Sequence, residues 1–160
     1  MTATAPESKS YRPRDGRVRA DVAEGSMEAC LDGLDELLED GLDRLFDADY
    51  FEAFGERLRR LHAQVRKHYA SGELNVAQPD GEVPPELSTD LEGLRSEHSR
   101  MIGMLDRLIR PVDSMADRPL EDKEVFLLRI RELISMIRRH CAEEDRLFYL
   151  AVWHDTGGES

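Results

Sequence analysis

Apolar residues recur along this chain at spacings of three and four, the mark of helices with one buried face. Met27, Leu31, Leu34, Leu38 and Leu45 form the first such stripe and predict a helix over 26–46. Asp47, Ala48 and Asp49 interrupt it, and Asp49 followed by Glu52 reads as a capping-box-like start for a second helix. That helix carries Phe54, Leu58, Leu61, Val65 and His68 and is expected to end near Ser71 and Gly72. Residues 77–87 hold Pro79, Gly81, Pro84 and Pro85 and read as the connection between two halves.

A third stripe runs through Leu87, Leu91, Leu94, His98, Met101 or Ile102, Leu105 and Leu108. Pro85 or Thr89 opens this helix, and Pro111 kinks or ends it. The fourth helix begins after Pro119 and runs to about Trp153, with Val125 or Phe126, Ile130, Leu133, Ile137, His140, Glu144 and Leu147 or Phe148 on its inner face. Four amphipathic helices in sequence predict an all-α, antiparallel up-down four-helix bundle over residues 25–158. An internal repeat supports two helical hairpins. Residues 34–37 resemble 105–108, and 58–61 resemble 130–133, which aligns His68 with His140, His98 with Met27, and Glu144 with Gly72.

Residues 1–24 carry no apolar period and read as a flexible tail. The tail is basic (Lys9, Arg12, Arg14, Arg17, Arg19), but Tyr11 is its one aromatic residue, so a solvated arm folded toward the acidic body is the plainer reading. The net charge of −12 argues against nucleic acid or an anionic membrane as a partner and is compatible with metal cations. No apolar run reaches a membrane span, and no apolar signal core stands near the N-terminus. Cys30 and Cys141 form no disulfide framework, so both are expected as reduced thiols in a cytoplasmic protein.

His68, His98 and His140 thus lie on the apolar stripes of three different helices, and Glu144 follows His140 by one turn on the same face. A single histidine on such a stripe is ordinarily a hydrogen-bonded core residue. Three of them with a carboxylate need partners, and one cation shared among them is the simplest supply. His62 falls off its stripe and is read as facing solvent, and His154 sits in the last turn, near the helix C-terminus. The apolar members of 147–153 are read as closing the end of the core.

The pattern resembles the hemerythrin-like (HHE cation-binding) domain, a four-helix bundle with a non-haem di-iron centre. The resemblance covers about residues 26–158. Glu97 and His98 look like its third-helix element, and residues 140–149, beginning His-Cys-Ala-Glu-Glu-Asp, look like its fourth. The resemblance implies a histidine on the first helix and a glutamate four residues after His68. This chain has Met27 and Gly72 there, with Glu73 one place further on.

His68, His98, His140 and Glu144 are therefore expected to hold at most one ion, iron or alternatively zinc. Glu73 is a weaker candidate because Gly72 before it can already end the helix, and Cys30 reads as a small buried hydrophobe in preference to a thiolate ligand. Met27 is a poor ligand for oxidised iron, so a second ion, and the oxygen carriage that needs it, is not expected. Three functions follow. The first is iron or redox sensing or storage, with dioxygen or a small redox ligand as partner. The second is a metal-free bundle for protein interaction. The third is a mononuclear iron enzyme, for which no general base stands out beyond Glu143 and Asp145, both read as solvated charges.

Overall fold

The computed structural model describes residues 26–70 and 85–156, with side chains to residue 153. Four helices account for nearly all of these: α1 (Met27–Glu39), α2 (Ala48–Ala70), α3 (Pro85–Ile109) and α4 (Leu120–Thr156). Among the described residues there are no strands. The inferred tail, residues 71–84 and the final glycines lie outside the described residues, and with them Gly72 and Glu73.

Ser26 caps α1 by accepting the Ala29 N–H at 3.1 Å. The helix ends seven residues before the expected Phe46. The reason is Gly41, whose φ of +62° is open to glycine and breaks the α-helical path. The chain continues as a short 3₁₀ turn, Gly41–Arg44, into α2. Because α2 opens at Ala48, Asp49 lies inside its first turn and not at the cap. Pro85 opens α3, and Pro111 ends it by leading into a second 3₁₀ turn, Val112–Asp117.

The helices alternate in direction. Mid-α2 lies beside the 3₁₀ turn that follows α3, where Arg59 meets Asp113, and late α2 lies beside mid-α3, where His68 and His98 approach. Likewise Asp90 and Glu97 of α3 meet Arg146 and His140 of α4. On the α1–α4 seam, Arg138 bonds Glu28, Asp32 and Asp35.

The expected stripes form the interior, with Phe126 and Leu147 buried while Val125 and Phe148 are exposed. Tyr50 and Phe51, before the expected start of the second stripe, are also buried; Tyr50 meets Phe54 edge-on, Phe51 packs tilted against Phe126, and Phe54 meets Phe126 edge-on. The Tyr50 hydroxyl donates to the Leu37 carbonyl at 2.6 Å. This main core runs up to Met101 on α3 and Ile137 on α4. A smaller apolar cluster, Leu87, Leu91, Leu94 and Leu147, lies further toward the start of α3 and the end of α4. His98, His140 and Glu144 occupy the level between the two, so a polar layer divides the apolar interior.

Candidate metal centre

Three helices build this layer by simple periodicity. Residue 98 follows Leu94 and precedes Met101 on the stripe of α3; residues 140 and 144 continue Ile137 and lead to Leu147 on α4. His68 arrives from the last turn of α2. One ligand-type atom from each of His68, His98, His140 and Glu144 lies within 4.8 Å of the others. The structure brings together all four residues singled out from sequence. His98, His140 and Glu144 are buried, and His68 is part-buried.

All three histidines present Nε2 to the same carboxylate. His68 Nε2 lies 2.8 Å from Glu144 Oε2, while His98 and His140 Nε2 lie 3.2 and 2.8 Å from Oε1. On the far side of its ring, His140 Nδ1 is 2.9 Å from Glu97 Oε2. A neutral imidazole has one N–H. If Nδ1–H donates to Glu97, Nε2 turns a lone pair toward the Glu144 oxygen, and two acceptors face each other. An extra proton, on His140 or on a facing carboxylate, or a cation between the two acceptors makes that arrangement favourable.

The electrostatics follow. Burial works against an imidazolium at His140, but hydrogen bonds to Glu144 and Glu97 outweigh it and raise its pKa. Burial likewise opposes charge on Glu144, yet hydrogen bonds from His140 and His68 bring its pKa down to about 2. His98 is lowered to about 4, first by burial and then by the neighbouring charge on His140. At neutral pH the layer therefore contains an ionised carboxylate and a neutral His98.

This donor set fits a cation. Imidazole nitrogens and a carboxylate suit iron or zinc, and Glu97 supplies the partner that a ligating histidine ordinarily has on its other nitrogen. A buried polar atom also lacks a partner here. The Tyr69 hydroxyl, next in sequence to His68, is sealed from solvent and makes no hydrogen bond among the described residues. Its ring stands edge-on to that of His98. Sequence reasoning missed both Glu97 and Tyr69 as members of this layer. Each is one place off an apolar stripe; the signal for Tyr69 was adjacency to His68, and that for Glu97 was its place beside His98 in the third-helix element.

Other expectations change. His62 is part-buried and pairs with Asp106 on α3 at 3.1 Å, because it lies at the edge of the α2–α3 seam and not in open solvent. Phe148, Tyr149, Val152 and Trp153 are exposed, so of residues 147–153 only Leu147 is buried and Leu150 and Ala151 partly so. Met27, at the position where the repeat aligns with His98, packs against the main core with its sulfur 3.8 Å from Cys141 Sγ. Cys30 packs against the same core. Burial and the carboxylates of Glu144, Asp145 and Glu28 push the Cys141 thiol up to about 11, which holds it protonated and unreactive.

A four-helix bundle that aims imidazoles and a carboxylate at one interior point belongs to the class of helical bundles with cation-binding interiors. The chain is a member of the hemerythrin HHE cation-binding domain family, whose model matches residues 28–152. No curated protein and no solved structure matches it. Among the described residues, no helix is long and apolar enough to cross a membrane.

Proposed function

We propose that this chain is a metal-binding hemerythrin-like domain that holds one ion, iron in preference to zinc, between His68, His98, His140 and Glu144. The single observation that carries the reading is the contact of His140 with Glu97 through Nδ1 and with Glu144 through Nε2. A cation between Nε2 and the carboxylate satisfies both without an extra proton. Glu97 fixes the tautomer, His98 is already neutral, and the apolar clusters on either side exclude water.

Bound iron would supply a reversible one-electron couple and a coordination position for a small ligand such as dioxygen. The role that suits this is iron or redox sensing, or storage, in a cytoplasmic protein with both thiols reduced. Met27 and Cys30 stand where a second ion would need harder donors, so a two-ion centre for oxygen carriage is not part of the reading.

The test is metal content per chain, by native mass spectrometry on protein purified without chelator, together with melting in the presence and absence of iron. One ion per chain and a metal-linked rise in melting temperature, abolished by His140→Ala and by His98→Ala, are expected. Protein that carries no metal and melts alike in iron and in chelator would overturn the reading. It would leave the second one, a metal-free bundle for protein interaction. That alternative draws on the donors' bonds to one another at 2.8 to 3.2 Å, a network that protonation of His140 completes.

A further inference from the structure

The Tyr69 hydroxyl is the one buried side-chain polar atom without a hydrogen-bond partner among the described residues. Leaving such a group unsatisfied costs about 1–3 kcal/mol, so its position calls for a partner. The residue sits at the metal layer: it follows His68 on α2, and its ring meets the His98 ring edge-on. Tyr50, in the apolar end of the same helix, has its hydroxyl satisfied by the Leu37 carbonyl. Tyr69 packs against the main core beside the layer, and the one side-chain neighbour from the layer that its ring meets is His98.

We propose that Tyr69 is a fifth protein donor to the ion, binding through its phenol oxygen, and that it makes the centre selective for ferric iron over zinc. The inference rests on the metal-binding reading above. Three imidazoles and one carboxylate already complete the four-coordinate shell that zinc prefers. A fifth, hard oxygen donor has no place in that shell but suits a ferric ion, which takes more ligands and favours anionic oxygen. On binding, the phenol O–H breaks, its proton passes to bulk buffer, and the oxygen's electron pair forms the bond to iron. No change of oxidation state is required.

The experiment loads wild-type protein and Tyr69→Phe with ferric citrate or with zinc, measures metal per chain, and records visible absorption and resonance Raman spectra. Tyr149→Phe, which alters an exposed tyrosine, is the control. Wild type and Tyr149→Phe are expected to show a visible phenolate-to-iron band with tyrosinate ring modes. Tyr69→Phe is expected to lose both, and its ferric affinity to fall by about tenfold or more while zinc affinity stays within about twofold. Melting of the metal-free proteins checks that Tyr69→Phe is folded, and removal of an unpaired hydroxyl is not expected to lower it. Ferric protein without tyrosinate modes, or a band that survives in Tyr69→Phe, overturns this inference and leaves the metal-binding reading standing. Wild type that takes up neither metal overturns both.

Discussion

Glu97 and His140 are joined across the α3–α4 seam by a 2.9 Å contact to Nδ1, on the ring face opposite the one that meets Glu144. Glu97 is thus a positioning residue that decides which nitrogen of His140 carries its proton. Glu97→Ala is expected to weaken metal binding by about 10- to 100-fold, the usual cost of losing such a partner, with helicity unchanged. Competition against a chelator of known affinity measures this. Equal affinities in the two proteins would show that the ring is held by packing alone.

Glu144 balances the charge that the layer concentrates on His140. Glu144→Gln keeps the shape and removes the charge. In metal-free protein the variant is expected to be less stable by about 1–3 kcal/mol at pH 6, where His140 is protonated. The deficit is expected to shrink once the pH passes the raised pKa of His140. Metal uptake is expected to fall at every pH, because the amide is a weaker donor than the carboxylate. Urea unfolding at several pH values separates the two effects.

The shifted groups set opposite slopes with pH. His98 titrates at about 4 in the fold against 6.5 unfolded, so its share of stability is present above 6.5 and is lost as pH falls toward 4. His140 is raised, so its contribution is complete below 6.5 and is lost as pH rises through its folded value. Glu144 contributes above 4.5 and loses its share as pH falls toward about 2. Metal-free protein should therefore be most stable near pH 6.5 and weaken on both sides. Metal entry at that pH should release about one proton, from His140, since His98 is already neutral. Calorimetry in buffers of different ionisation heat counts that proton, and a count of zero would show His140 neutral beforehand.

The bundle was legible because its cause is local. Leu58, Leu61 and Val65, or Ile130, Leu133 and Ile137, repeat with the helical period, and burial followed the period closely. His68, His98, His140 and Glu144 were legible for the same reason, as polar residues on apolar stripes. What escaped depends on features outside that period. Gly41 ended α1 through a single backbone angle. Tyr50 and Phe51, by contrast, obey the period: they stand four and three residues before Phe54 and extend the α2 stripe toward its start at Ala48. Glu97 and Tyr69 joined the polar layer through the relative rotation of neighbouring helices, which no single helix's pattern records. His62 found Asp106 in the same way.

The aromatic end of the core provides a control on the metal layer. Phe54 is fully buried against Tyr50, Phe51 and Phe126, and its helix reaches His68 only four turns later. Phe54→Ala should cost about 3–5 kcal/mol through lost contacts and the cavity left behind. Because the residue touches no donor of the layer, the added stability from iron should be the same in the variant as in wild type. Distant, independent sites add in this way, whereas neighbours do not. Denaturant titration with and without iron gives both quantities. A reduced iron increment in Phe54→Ala would show that the metal layer is held in place by the aromatic cluster, and that the two halves of the core do not act separately.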